Sequence, residues 1–409
     1  MGRLFFAGCA FALVLGTAVL ITYFAWSVKA SPPPAFEETH PAHSEFNREM
    51  VRLDLALYES LYKEDVSVND ILFRVVEERR EKGLEWEFTE VEVRVAEPVR
   101  PRDIEAAILR ELSRLGEAVQ AKPAREPSAD AMVDLFVLGH PTHRIRIMRI
   151  EKQKPPDSVG KPLIAIIIDD LGYDLELARA FMGMGVPVTL SVLSWAPYSK
   201  AIAKRAEEKG FELILHLPME PKQYPHVNPG PGAILVGMGD EEIRAAVEMH
   251  LKRIPGVQGV NNHMGSRLTE MKDKMTPVFE ELKKRGLFYV DSRTTRQSVA
   301  SELGSRLGVP VATRGVFLDN TLSRNAMAFQ VERLLGLARS AGTAIAIGHP
   351  HRETLRCLRD SLPRLQQSAQ LVTVAEVLRH PSEAGGEALW TATGVTKGSK
   401  KRTPRSVSP

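Results

Sequence analysis

Apolar runs recur through the second half of this chain, and five of them end on a residue able to bind a metal or move a proton. Residues 163–168 (LIAIII) lead into Asp169 and Asp170, and residues 211–215 (FELIL) into His216. Residues 257–260 (VQGV) lead into Asn261, Asn262 and His263, residues 287–290 (LFYV) into Asp291, and residues 343–348 (TAIAIG) into His349. Short runs rich in β-branched and aromatic residues predict strands, here joined by further strands at 188–193, 311–318 and 371–374. Between them the spacing predicts helices over 176–184, 198–209, 240–253, 277–285, 297–307, 326–341 and 354–368. Such alternation implies parallel strands with covering helices. Seven or eight strands point to barrel-like closure more than to an open sheet. In such folds the C-terminal strand ends converge on one site.

The first half reads differently. The pattern predicts helices over 45–62, 68–82 and 102–115, and strands over 86–96, 131–139 and 143–150. Residues 87–95 (EFTEVEVRV) alternate polar and apolar, as a half-buried strand does. No catalytic constellation stands out. His140 and His143 flank Pro141-Thr142 and read as turn residues. The expectation is a small α+β domain of binding or spacer type. Residues 152–161 (KQKPPDSVGK) read as a linker, and from Pro381 on Gly, Ser, Lys and Pro dominate, which predicts a disordered basic tail.

Residues 4–28 carry no charge and follow Arg3. A helix of that length spans the ~30 Å hydrocarbon core of a bilayer. The positive-inside rule then keeps the N-terminus cytoplasmic and exports the rest. A retained signal anchor is expected; a cleaved signal peptide, with Val28-Lys29-Ala30 as cleavage context, is the alternative. The domain layout is therefore anchor or signal peptide 1–30, linker 31–44, small α+β domain 45–151, linker 152–161, main domain 162–380 and tail 381–409. At 409 residues the chain can bury a sizeable core. Its net charge of +3 gives no reason to expect a nucleic-acid partner, and two cysteines, Cys9 and Cys357, exclude a zinc–thiolate site.

The chemistry rests on the strand ends. Adjacent carboxylates such as Asp169 and Asp170 repel, so a nearby cation would stabilise both as anions. Pro218 in His216-Leu-Pro-Met-Glu220 argues against a helix there, which places His216 and Glu220 on a loop. Asn261 and Asn262 could orient His263 by hydrogen bonds, and Pro350 stiffens the exit after His349. Asp291 could accept a hydrogen bond from a catalytic or ligand imidazole. Imidazole and carboxylate donors without cysteine suit zinc or a similar divalent metal. With a separate base and a separate acid, that is equipment for metal-assisted hydrolysis.

The phrases IDDLG, HLPME, NNHMGS, DSRT and IGHPH, in this order over about residues 160–380, resemble the divergent branch of the polysaccharide deacetylases. The resemblance implies a distorted (β/α) barrel of about seven strands and removal of N- or O-acetyl groups from sugars. It implies Asp169 as base, Asp170 with His216 and His263 as ligands of a divalent metal, most simply Zn2+, His349 as general acid and Asp291 as the supporting carboxylate. Two departures are visible. Glu220 stands where the family's second motif has a second histidine, and the Arg-x-Pro-Tyr motif is absent at NNHMGSR.

The expected function is thus a metal-dependent carbohydrate deacetylase of the cell envelope, acting on an acetylated polysaccharide or peptidoglycan-like glycan and held at the inner membrane by its N-terminal helix. The alternative is an envelope protein that binds metal or glycan with little or no turnover. Phosphoryl chemistry is a poorer fit, because no Gly-rich phosphate loop follows a strand.

Overall fold

The computed structural model describes residues 45–64, 66, 70–81, 84–150 and 160–380. The expected anchor in residues 4–28 and the expected tail from 381 lie outside the described residues. Among the described residues no helix is long and apolar enough to cross a membrane.

The chain opens with helix α1 (Glu45–Lys63), strands β1 (Ile71–Glu81) and β2 (Leu84–Val95), and helix α2 (Pro101–Leu112). Strands β3 (Val119–Ala124), β4 (Ala131–Val137) and β5 (His140–Arg149) complete a five-stranded sheet of order β1-β2-β5-β4-β3. Leu53, Leu57 and Leu61 of α1 and Ile104, Ile108 and Leu112 of α2 pack on Val91, Val93, Val133, Leu135, Ile145 and Ile147 of the sheet.

Three expectations fail here. The helix expected over 68–82 is strand β1, paired antiparallel with β2 from Ile71↔Val93 to Glu81↔Leu84. β-Branched Ile71, Val75 and Val76 favour a strand, and the adjacent partner decides it. Strand β3 was not expected. It contains Pro123 and sits at the sheet edge, where a missing N–H is tolerated. His140 and His143 are not turn residues: the two-residue turn is Leu138-Gly139, both at positive φ (48° and 82°). His143 is buried inside β5, its Nε2 3.3 Å from Asp54 Oδ1 of α1.

Beyond residue 160 strand and helix alternate: β6 (Leu163–Leu171), α3 (Leu175–Met182), β7 (Thr189–Leu193), α4 (Ser199–Lys209), β8 (Leu213–Met219), α5 (Asp240–Arg253) and β9 (Gly259–Met264). The series continues with α6 (Lys272–Arg285), β10 (Phe288–Asp291), α7 (Ala300–Leu307), β11 (Val311–Thr313), β12 (Val316–Phe317) and α8 (Arg324–Ala341). It ends with β13 (Thr343–Gly348), α9 (Arg352–Ser368), β14 (Gln370–Val372) and α10 (Val374–Arg379). All nine strands are parallel: eight follow the order β11-β10-β9-β8-β7-β6-β13-β12, and β14 pairs with the start of β6.

This is a curled α/β sheet consistent with a (β/α) barrel, with nine strands from the eight runs expected, because the run 311–318 divides into β11 and β12. The division has a cause. The two ends of the strand order are joined by Arg314-Gly315 alone. Arg314 N donates to Asp291 O of β10 (3.0 Å), and Gly315 N donates to Ile345 O of β13 (2.8 Å). Two residues of backbone thus bridge the ends of the sheet.

Side-chain alternation sorts each strand into two faces. Ile164, Ile166 and Ile168 of β6 face outward onto Phe181, Ile202 and Leu334 of the covering helices. Ala165 and Ile167 face inward with Ile214, Phe288, Val290, Phe317, Ile345 and Ile347. Val374 and Val377 of α10 close the lower end of that inner core. Helix α10 is fixed there by Glu212, a buried carboxylate that accepts from Val374 N (2.8 Å), Ala375 N (2.9 Å) and Thr189 Oγ1 (2.6 Å). The N-terminal helix meets this body at α8, where Tyr58 packs edge-on against Phe329 with ring centroids 5.8 Å apart.

Glu212→Ala would strand two helix N–H groups and a hydroxyl in the interior. A loss of about 2–3 kcal/mol is expected, seen as a lower urea midpoint at unchanged slope.

Candidate metal centre

The inward face of each strand, extended past its apolar residues, builds the site. In β8, Ile214 faces inward, so His216 does too; in β9, Val260 faces outward, so Asn261 and His263 face inward. His216 and His263 therefore lie within strands, not on the loops expected after them, since β8 runs on to Met219 and β9 to Met264.

Strand β6 has a harder task, because neighbours on a strand oppose each other. Asp169 follows Ala165 and Ile167 inward. Asp170 adopts φ 51°, and the pairing with β7 slips between Ile168 and Leu171. That bulge lets Leu171 return to the outer core while both carboxylates turn to the inside.

Asp170 Oδ1 stands 3.0 Å from His216 Nε2 and 2.9 Å from His263 Nδ1, and these nitrogens are 3.2 Å apart. All three residues are buried. Among the described residues both carboxylate oxygens of Asp170, and His263 Nε2, are buried without a hydrogen-bond partner. Orphaned buried carboxylate oxygens are costly unless a cation completes them. The donor set fits a divalent metal. Ligands about 2.0–2.1 Å from such an ion are spaced about 2.9 Å apart at octahedral angles and about 3.4 Å at tetrahedral ones, and the observed triangle falls in that range.

Asn261, fully buried, links this triad to Asp169. Its Oδ1 accepts from His216 Nδ1 (2.9 Å) and from Ser191 Oγ (2.7 Å), and its Nδ2 donates to both oxygens of Asp169 (2.8 and 3.0 Å). With Nδ1 engaged as donor, His216 presents its Nε2 lone pair to the triad. Burial alone would lower the pKa of His216, but Asp169, Asp170 and Asn261 outweigh it and push it up to about 9. For Asp170, burial would raise the pKa, but His263 and His216 hold the carboxyl well below its ordinary range.

His349 arrives from the neighbouring strand. Register pairs Gly348 with Ile168, so His349 and Asp169 extend side by side. Its Nδ1 is 2.8 Å from Asp319 Oδ1, while its backbone N donates to Asp319 Oδ2 (2.6 Å), as does Thr354 Oγ1 (2.5 Å). Burial would raise the pKa of Asp319, but His349 and these hydrogen bonds lower it.

The carboxylate that holds His349 is therefore Asp319, not Asp291. Alternation explains the exchange. Val290 of β10 faces inward and Tyr289 outward, which puts Asp291 on the outward side. There it accepts from Arg293 N (2.9 Å), and burial raises its pKa. Asp319 follows inward-facing Phe317 by two residues. The signal was present in the sequence: Val316-Phe317-Leu318 is a sixth apolar run ending in an acid. Glu220 also stands apart from the triad. Its carboxylate binds Arg267 Nη1 (2.7 Å) and accepts from Val236 N (2.8 Å), tying the loop after β8 to the loop after β9.

With the geometry in place, comparison with known proteins adds four findings. The model of the family described as divergent polysaccharide deacetylase matches residues 166–378. Uncharacterized protein YibQ of Escherichia coli (strain K12) is 33% identical over 228 residues, 55% of this chain and 70% of that protein. An uncharacterized protein of Haemophilus influenzae is 31% identical over 223 residues, 54% of this chain and 79% of that protein. Among solved structures, an uncharacterized protein of Agrobacterium tumefaciens C58 shares the fold with a TM-score of 0.51 at 24% identity, covering 55% of this chain and 92% of that one.

The purified protein is expected to retain about one equivalent of zinc after dialysis, and Asp170→Ala and His216→Ala to lose it, as measured by elemental analysis. The pH response of the metal-free protein follows from His216. Its raised pKa contributes stability that is fully present below about 6.5 and lost as pH rises through about 9. Scanning calorimetry of metal-free protein should show a falling melting temperature over that window. Zinc-loaded protein should lack this component, because a ligand imidazole is already deprotonated.

Proposed function

Because the chain belongs to the divergent polysaccharide deacetylase family, we propose that it is a metal-dependent hydrolase that removes acetyl groups from an acetylated glycan of the cell envelope. The observation that carries this reading is the buried Asp170–His216–His263 triad, with Asp169 and His349 on the same inward face. A divalent metal held by those three residues would supply Lewis-acid polarisation and acidify a water.

The chain's own residues do the rest. Asp169, fixed by two hydrogen bonds from Asn261, would take a proton from the attacking water. Asp319 engages Nδ1 of His349, so proton delivery to the departing amine or hydroxyl falls to Nε2. Asp319 keeps that imidazole in one orientation and stabilises its protonated form, as a buried carboxylate does for a catalytic histidine. Asp291, on the outer side of β10, has no part in this scheme. The envelope location rests on the apolar run at residues 4–28, and the glycan on the family's activity.

The test is acetate release from acetylated chito- and xylo-oligosaccharides. Zinc-loaded protein should release acetate and chelator-stripped protein should not. Asp169→Ala and His349→Ala should each lose about 10²–10⁴-fold in kcat while keeping their zinc. Asp319→Asn should lose less than His349→Ala. Stoichiometric zinc with no acetate released from any acetylated sugar would favour the alternative, an envelope protein that binds without turnover.

A further inference from the structure

Five large hydrophobic side chains are exposed among the described residues, and two of them, Trp195 (40%) and Tyr198 (43%), share one short loop. That loop joins β7 to α4 at the end of the sheet where the metal-binding side chains lie. Leu193, the last residue of β7, is register-paired with His216. Neighbouring strands are about 4.8 Å apart and each extended residue advances about 3.4 Å. The backbone of Trp195 is therefore within about 12 Å of that of His216.

The same loop rests on the strand carrying the two acids. Tyr198 N donates to Gly172 O (2.8 Å), two residues past Asp170, and a Cβ at Gly172 would come within 2.4 Å of Ala196 Cβ.

Trp195 is exposed yet fixed. The guanidinium of Arg253 lies 3.5 Å from its ring centroid and covers one face. Arg253 is itself anchored, its Nε donating to Ser194 O (3.1 Å). Ser194 Oγ is 2.6 Å from His250 Nδ1, and His250 Nε2 donates to Gly232 O (2.8 Å). Gly232, at φ 75°, abuts the indole edge so closely that a Cβ there would lie 2.8 Å from Nε1. One face and one edge of the indole are thus occupied, yet 40% of the residue stays exposed. An aromatic held rigid but left bare is preorganised for a flat apolar partner, with little side-chain freedom to lose on binding.

From this geometry we propose that Trp195 and Tyr198 form a stacking platform for a second sugar ring beside the one that reacts, so that the protein reads an oligosaccharide and not a monosaccharide. The C–H face of a pyranose ring is the apolar surface that matches an indole, and its hydroxyl rim stays in water. The choice of a sugar rests on the function proposed above; the platform itself rests on the loop.

The test measures binding of N-acetylglucosamine and its dimer to pentamer, and of acetylated xylo-oligosaccharides, to zinc-loaded protein by isothermal titration calorimetry. Affinity should rise at least tenfold from monomer to the longer oligomers in one of the two series. Trp195→Ala and Tyr198→Ala should remove most of that gain, leave weak monomer binding unchanged and keep their zinc. Trp195→Phe, which retains a ring, should recover part of it. Circular dichroism and zinc content report whether the variants remain folded.

The proposal is overturned if oligomers of both series bind no better than monomers, or if both alanine variants keep the full gain. A length-dependent gain lost in the variants, without acetate release from any of the sugars, would leave the platform standing and remove the hydrolase reading.

Discussion

Two adjacent carboxylates in one dry pocket set the terms for everything around them. Asp169 and Asp170 are both about 2% exposed, and neither can be left without compensation in such a place. The protein handles the two differently. Asp169 receives two hydrogen bonds from the Asn261 amide, so its charge is spread over neutral donors. Asp170 faces two imidazole nitrogens whose other partners and spacing leave room for a cation. Placing both acids on the same side requires a left-handed residue and a slip in strand pairing, a local cost that a purely structural capping aspartate would not need.

From that pair the arrangement spreads by strand alternation. Inward positions above the apolar core supply the polar groups of the site: Asp169 on β6, His216 on β8, Asn261 and His263 on β9, then Asp319 and His349 past β12 and β13. Asn261 connects the imidazole of His216 to the carboxylate of Asp169, and Asp319 holds the ring of His349 through its Nδ1. The inner core beneath, closed by Val374 and Val377, supplies a rigid floor, and rigidity is what keeps buried hydrogen-bonded groups in register.

The departures from the family's motifs find physical counterparts. Glu220, standing where a second histidine would be, is engaged with Arg267 and the backbone of Val236, so it serves as a brace between two loops of the site's rim. The position facing Asp169 is filled by a neutral amide and not by a guanidinium. The rim loops are correspondingly well tied, by Glu220 on one side and by the Ser194–His250–Gly232 chain on the other.

The sequence by itself determined the strand–helix alternation beyond residue 162, the parallel sheet it implies, and the strand ends that carry the site; which of them form the triad was implied by the family resemblance. The strand ends follow from apolar runs of fixed length and from residue chemistry, both local. It misread 68–82 as a helix, because a charged, apolar-spotted stretch satisfies either period until a neighbouring strand claims it. It also pointed to Asp291 and passed over Asp319. Both follow apolar runs, and barrel strands are apolar on both faces, so nothing local marks which side is the interior. Only the tertiary structure decided that, by burying Tyr289 against the outer helices and Phe317 in the inner core. The same holds for Asp170: its identity is in the sequence, but the turn that brings it beside Asp169 lies where the pairing of β6 with β7 slips between Ile168 and Leu171.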